Sequence, residues 1–196
     1  MKHLLIPFFF LFSLAYAATA QEAVSVDRVD FNSLRDDWLQ VEIELSCDGN
    51  PSPEARDRRY VENIGVRVYL AWERDASARE FDYYMSEAEI VIMEQGDNNN
   101  VYFYLPGLIV ERDQLSTDPD FYYVEITVNG EAQQPQDAAM SSNIPNLEIL
   151  QSFIQRAESD GAENEHLLMP IYLVNGASDL GRVDDLPTFL RRDVRD

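Results

Sequence analysis

Residues 101–115 read VYFYLPGLIVERDQL, and the first five of them decide the fold. Val101, Phe103 and Leu105 fall on one side of an extended chain, Tyr102 and Tyr104 on the other. A period of two is what a strand needs to bury one face and offer a second, semi-polar one. Pro106-Gly107 then stops the strand, because proline has no ladder donor and glycine permits a backbone reversal.

Upstream, the same alternation recurs. In residues 37–47 (DWLQVEIELSC), Leu39, Val41, Ile43, Leu45 and Cys47 point inward while Gln40, Glu42, Glu44 and Ser46 face water. Ile64, Val66, Val68, Leu70 and Trp72 give a further strand. Residues 23–31 alternate with a slip of parity at Asp27-Arg28, which predicts a bulge. Residues 81–94 form one long strand or two short ones. The turn-forming residues 95–100 (QGDNNN) then predict a hairpin between that segment and residues 101–105.

Downstream, residues 121–128 alternate again and end at Asn129-Gly130, a tight-turn dipeptide. The period changes once, over residues 143–157. Asn143 is placed as N-cap and Pro145 in the first turn, with Leu147, Leu150, Ile154 and Ala157 at helical spacing. Period two returns over residues 166–174, where Pro170 implies an edge or a bulge. These signals predict a mainly β protein: an immunoglobulin-like antiparallel β-sandwich with one amphipathic helix.

Residues 1–20 carry Lys2, an apolar run and Ala18-Thr19-Ala20, the anatomy of a cleaved secretory signal. The apolar run is short for a membrane span, which needs about 20 residues. The expected mature chain, residues 21–196, is one β-sandwich domain with a tail from about residue 175. It holds 14 arginines, no lysine and 36 acidic residues, a net charge of −22. Such a surface repels phosphate backbones and anionic membranes, so nucleic acid is excluded as a partner. Cys47 stands alone in a chain bound for a disulfide-permissive compartment, and its strand phase makes it a buried, unpaired thiol.

Chemistry is sparse. His166 is the single histidine of residues 21–196, and no nucleophile elbow, phosphate loop, dinucleotide fingerprint or zinc-ligand pair occurs. The oxygen-rich residues 97–100 and 158–165 lack the spacing of a calcium loop and read as solvated turns. The expectation is a protein without enzymatic activity, cofactor or metal. The aromatics are the candidate contacts: Tyr102, Tyr104 and Tyr123 lie opposite the apolar phase of their strands, as does Trp38. Two readings stand. Either these rings form an open platform for a partner protein or a sugar, or the helix or tail packs over them.

The export signal, DWLQVEIEL, RRYVENIGVRVYLAW and above all VYFYLPGLIVERDQLSTDP resemble the pilus-associated, immunoglobulin-like protein family of Akkermansia-type (verrucomicrobial) bacteria. The resemblance covers about residues 24–174. It implies a non-enzymatic envelope protein, periplasmic or cell-surface-associated, with envelope or pilus-machinery proteins as partners. It supplies no site residues. True type IV pilins keep a long apolar N-terminal helix, and nothing apolar follows Ala20. An accessory or structural role is therefore implied, with a carbohydrate-binding or adhesin-like module as the alternative.

Overall fold

The computed structural model describes residues 22–164 and 166–190; the expected export signal lies outside them. The ladder begins with β1 (Val24–Ser33) and β2 (Leu39–Cys47), joined through a tight turn at Arg35–Asp37. Two long strands come next, β3 (Tyr60–Asp75) and β4 (Glu80–Glu94), paired along nearly their whole length. Then come β5 (Asn98–Leu105), helix α1 (Gly107–Asp113), β6 (Phe121–Val128) and β7 (Glu131–Ala132). The last part holds helix α2 (Leu147–Asp160), β8 (Met169–Pro170), α3 (Ala177–Leu180) and β9 (Phe189–Leu190).

Two antiparallel sheets result, with strand orders β1-β2-β5-β8 and β7-β6-β3-β4-β9. Their inner faces are the alternating residues read from sequence. Val41, Ile43 and Leu45 of β2 meet Ile64, Val66, Val68 and Leu70 of β3, with Val101, Phe103 and Leu105 of β5 completing the layer. All ten are fully buried. This is an antiparallel β-sandwich of immunoglobulin-like type. The parity slip in β1 is a bulge, since the register shifts between Val26 and Arg28. Cys47 is buried and unpaired, and burial pushes its thiol pKa up. At Asn129-Gly130, both residues take positive φ (53° and 82°) and turn β6 into β7.

Four local expectations are corrected. β4 and β5 are not a hairpin: β4 belongs to the second sheet, while β5 pairs with β2 in the first. The turn at residues 95–97 instead carries the chain from one sheet to the other, held by Gly96 N–H donating to the Cys47 carbonyl (2.8 Å). Turn chemistry encodes a change of direction, not which sheet receives the next strand. Pro106-Gly107 does not reverse the chain either; it starts α1. The N-cap of α2 is Asn146, whose Oδ1 accepts from Ile149 N–H at 3.0 Å. Asn143 instead donates its amide to the Asp120 carbonyl (2.9 Å), tying the approach to the helix onto β6. Of residues 166–174, only Met169–Pro170 is strand, paired with Tyr104 and Phe103 at the sheet edge where a proline is tolerated.

The α1 segment closes one end of the sandwich. A Cβ at Gly107 would lie 2.0 Å from the Asp36 carbonyl oxygen, so the backbones approach there as only glycine allows. At the far end of α1, the Tyr84 hydroxyl donates to Asp113, and Arg112 pairs with the same carboxylate at 2.6 Å. Trp72 packs edge-on against Tyr84 and donates its indole N–H to the Ser116 carbonyl (2.9 Å). Gly107→Ala should therefore lower the unfolding free energy by about 2 kcal/mol or more, read from urea denaturation.

The Asp113 carboxyl is held below its ordinary range first by the Arg112 guanidinium and then by the Tyr84 hydroxyl, against the opposing effect of burial. A carboxyl depressed by folding contributes stability that is present above its unfolded value, about 4, and lost as pH falls through the folded value. Asp113→Asn should accordingly be less stable than wild type at pH 7. The gap between their urea midpoints should narrow as the pH drops below about 4.

Candidate functional site

The sandwich has two outer faces, and the chain covers both. On the second sheet, the amphipathic stripe of α2 places Leu150, Phe153 and Ala157 over Tyr69, Ala71, Tyr83 and Tyr123. Tyr69 and Tyr123, opposite each other on β3 and β6, stack at 6.1 Å. On the first sheet, the segment after β8 lies over Tyr102 and Tyr104, bringing Ile171, Ala177 and Leu180 onto them with Trp38 at the margin.

The open-platform reading is therefore corrected. Tyr102, Tyr104 and Tyr123 are no more than 3% exposed, and Trp38 is half-buried with its ring edge-on to Tyr104 at 6.5 Å. Moreover, β5 and β6 belong to different sheets, so the three tyrosines never share a surface. Two amphipathic covers, each cut to a row of rings, account for the burial.

The hydroxyls are accommodated as buried polar groups must be. Tyr104 accepts from Gln40 Nε2 at 3.0 Å, and Gln40 is itself buried. Tyr102 donates to Glu42 (3.2 Å) and accepts from the Asp184 N–H (3.2 Å), a tie between β5 and the covering segment. Burial, with the Glu42 and Asp184 charges adding to it, pushes the Tyr102 phenol up to about 12.

A cleft of about 470 Å³ runs along the outer edge of β4. Met85, Glu87 and Glu89 form one wall, and Leu168, Pro170 and Leu173 form part of the other. Leu190 of β9 sits at one end, and Glu158 from the last turn of α2 overhangs the other. Within the cleft, Arg67 is anchored by the Glu87 carboxylate at 3.1 and 2.6 Å. His166 also lines the cleft, in the left-handed region at φ 70°. An apolar floor under a rim richer in carboxylates than in cations suits an extended segment that alternates basic and apolar side chains.

Sequence reading did not foresee this cleft, because its walls come from residues some eighty positions apart. The cover over Tyr102 was more accessible. Val174, Ala177, Leu180 and Val183 recur every three residues, an apolar stripe inside a stretch rich in Gly and Asp.

No protein-family model matches the chain, and no curated protein matches it. Among solved structures, it is similar to a crystal structure from Akkermansia muciniphila, with a TM-score of 0.59 and 16% sequence identity. That likeness covers 87% of this chain and 94% of the other, and it supports the fold. Among the described residues, no helix is long and apolar enough to cross a membrane.

The buried tyrosines make a direct test of the architecture. Tyr104→Ala and Tyr123→Ala should each cost about 3–5 kcal/mol of stability and lower the melting temperature sharply by calorimetry. Leu173→Asp, at the partly exposed wall of the cleft, should leave melting within a few degrees of wild type.

Proposed function

We propose that the chain is a non-enzymatic cell-envelope protein, an accessory or structural component of type IV pilus-like machinery acting through protein–protein contacts. The observation that carries this reading is the acid-rimmed apolar cleft beside β4, on a sandwich whose aromatic faces are both already covered. Strand edges and apolar slots take up extended peptide segments, and a carboxylate rim selects basic ones. The secretory-type first 20 residues, the strongly acidic composition and the sequence resemblance supply the envelope setting. The likeness to the Akkermansia structure agrees with that setting at the level of fold. A carbohydrate-binding or adhesin-like module is the weaker reading, because its candidate platform of Tyr102, Tyr104 and Tyr123 lies in the interior.

The test is capture from an envelope extract with the wild-type chain and with the Met85→Asp, Leu173→Asp double variant as baits. Envelope or pilus-assembly proteins should be retained by wild type, released as salt rises, and lost from the variant. Equal retention by both baits, or retention only of cytosolic proteins, would sink the proposal.

A further inference from the structure

A second concavity opens at the end of the sandwich that α1 closes. It is a groove of about 320 Å³ between the turn joining β1 to β2 and the helix. Asp37, Trp38 and Leu39 line it from the turn, and Val110, Glu111 and Leu115 from the helix. It shares no lining residue with the cleft beside β4.

Both sides are fixed by backbone geometry. Leu34 N–H donates to the Trp38 carbonyl at 2.7 Å, and Asp36 and Asp37 between them take left-handed φ of 57° and 60°. On the helix side, Gln114 is left-handed (φ 53°), and Leu115 N–H donates back to the Val110 carbonyl at 3.0 Å. That bond is a Schellman closure, which brings the apolar side chains at its two ends, Val110 and Leu115, together. The two sides meet at Gly107, where a Cβ would lie 3.1 Å from the Asp37 carbonyl carbon.

The chemistry of the lining is one-sided. Leu39, Val110 and Leu115 supply aliphatic surface, and the half-buried Trp38 ring stands beside them. The charged residues are Asp37 and Glu111, and no described arginine lines the groove. Elsewhere carboxylates are matched, as Glu87 is by Arg67 and Asp113 by Arg112. Asp37 and Glu111 have no salt bridge or side-chain hydrogen bond among the described residues. One turn before Glu111 on the same helix face, Leu108 is 80% exposed, an apolar shoulder beside the groove. An alkyl stem ending in a positive charge satisfies this lining at every point. Its methylenes cover the aliphatic surface, its cation is drawn to the negative face of the indole, and its donors meet carboxylates. A neutral sugar could use the ring and the carboxylate lone pairs but would leave the two negative charges uncompensated.

We propose that this groove binds an arginine or lysine side chain presented by a partner protein, with the stem along Leu39, Val110 and Leu115 and the charge on Trp38, Asp37 and Glu111. The site does not rest on the cleft beside β4.

Nuclear magnetic resonance on the full-length chain tests it, with N-acetyl-arginine amide as the probe. The chain has two tryptophans, and Trp72 is buried with its indole N–H held by the Ser116 carbonyl, so the two indole signals separate groove from core. The probe should shift the Trp38 signal to saturation and leave that of Trp72 unmoved. The citrulline counterpart, the same shape without the charge, should bind about tenfold more weakly, and only the arginine probe should weaken as salt rises. Asp37→Asn combined with Glu111→Gln should also weaken it about tenfold. Melting of that variant should stay within a few degrees of wild type, because asparagine accepts the left-handed backbone of Asp37 and position 111 is exposed. No shift at Trp38, equal binding of the two probes, or binding indifferent to the double substitution overturns the proposal. So does a Trp38 signal moved by N-acetylglucosamine and not by the arginine probe, which would make the groove a sugar subsite. The Met85→Asp, Leu173→Asp variant should bind the probe as wild type does, which separates this site from the outcome of the capture experiment. Loss of the Trp38 shift in that variant would place the probe in the cleft and overturn the assignment.

Discussion

Everything in this structure answers to one constraint: residues 101–105 of β5 are buried on both faces. The inner face, Val101, Phe103 and Leu105, is ordinary sandwich core. The outer face carries Tyr102 and Tyr104, two rings with hydroxyls that lose water when covered. Leaving either unbonded would cost about 1–3 kcal/mol, enough to offset much of what ring burial contributes. Gln40 and Glu42, the outward residues of the neighbouring strand β2, stand opposite in register and supply the partners. The alternation that makes β2 amphipathic thus also satisfies β5. The covering segment adds the Asp184 amide, so the cover is pinned by a polar contact as well as by apolar area.

The same strand positions the helix that comes after it. The close approach of Gly107 to the Asp36 carbonyl fixes where α1 starts, over the turn joining β1 to β2. From there, Asp113 reaches the Tyr84 hydroxyl on β4 in the opposite sheet. One short helix bridges the end of the sandwich. Ile109 and Val110 of the helix pack against the apolar core, and the Asp113–Tyr84 hydrogen bond ties its far end to the opposite sheet.

Strand identity was legible because it depends on local alternation: the inward residues of β2, β3 and β5 are those the period-two pattern selects. The long helix was legible for the same reason, although its cap lies three residues beyond Asn143. Pairing was not legible. That β5 joins β2 rather than the equally available outer edge of β4 is a global property no turn motif encodes. The tyrosines show the limit most plainly. Their phase correctly placed them on outer faces, but whether an outer face meets water depends on distant segments with amphipathic patterns of their own. The cleft is harder still, since it is the gap left between elements after all have packed.

The covering of Tyr102 and Tyr104 has a temporal side. The rings belong to the middle of the chain, whereas the residues that cover them, about 171–184, lie near its C-terminal end. A chain emerging from its N-terminus first can pair β1 with β2 and β3 with β4 by local contacts, and it can close the inner core once β5 and β6 arrive. Throughout that interval, one sheet presents a bare row of aromatic rings. Long-range closures of this kind slow folding and prolong the exposure of adhesive surface. The price of the doubly buried strand is thus a vulnerable half-assembled state, relieved only when the final segment docks.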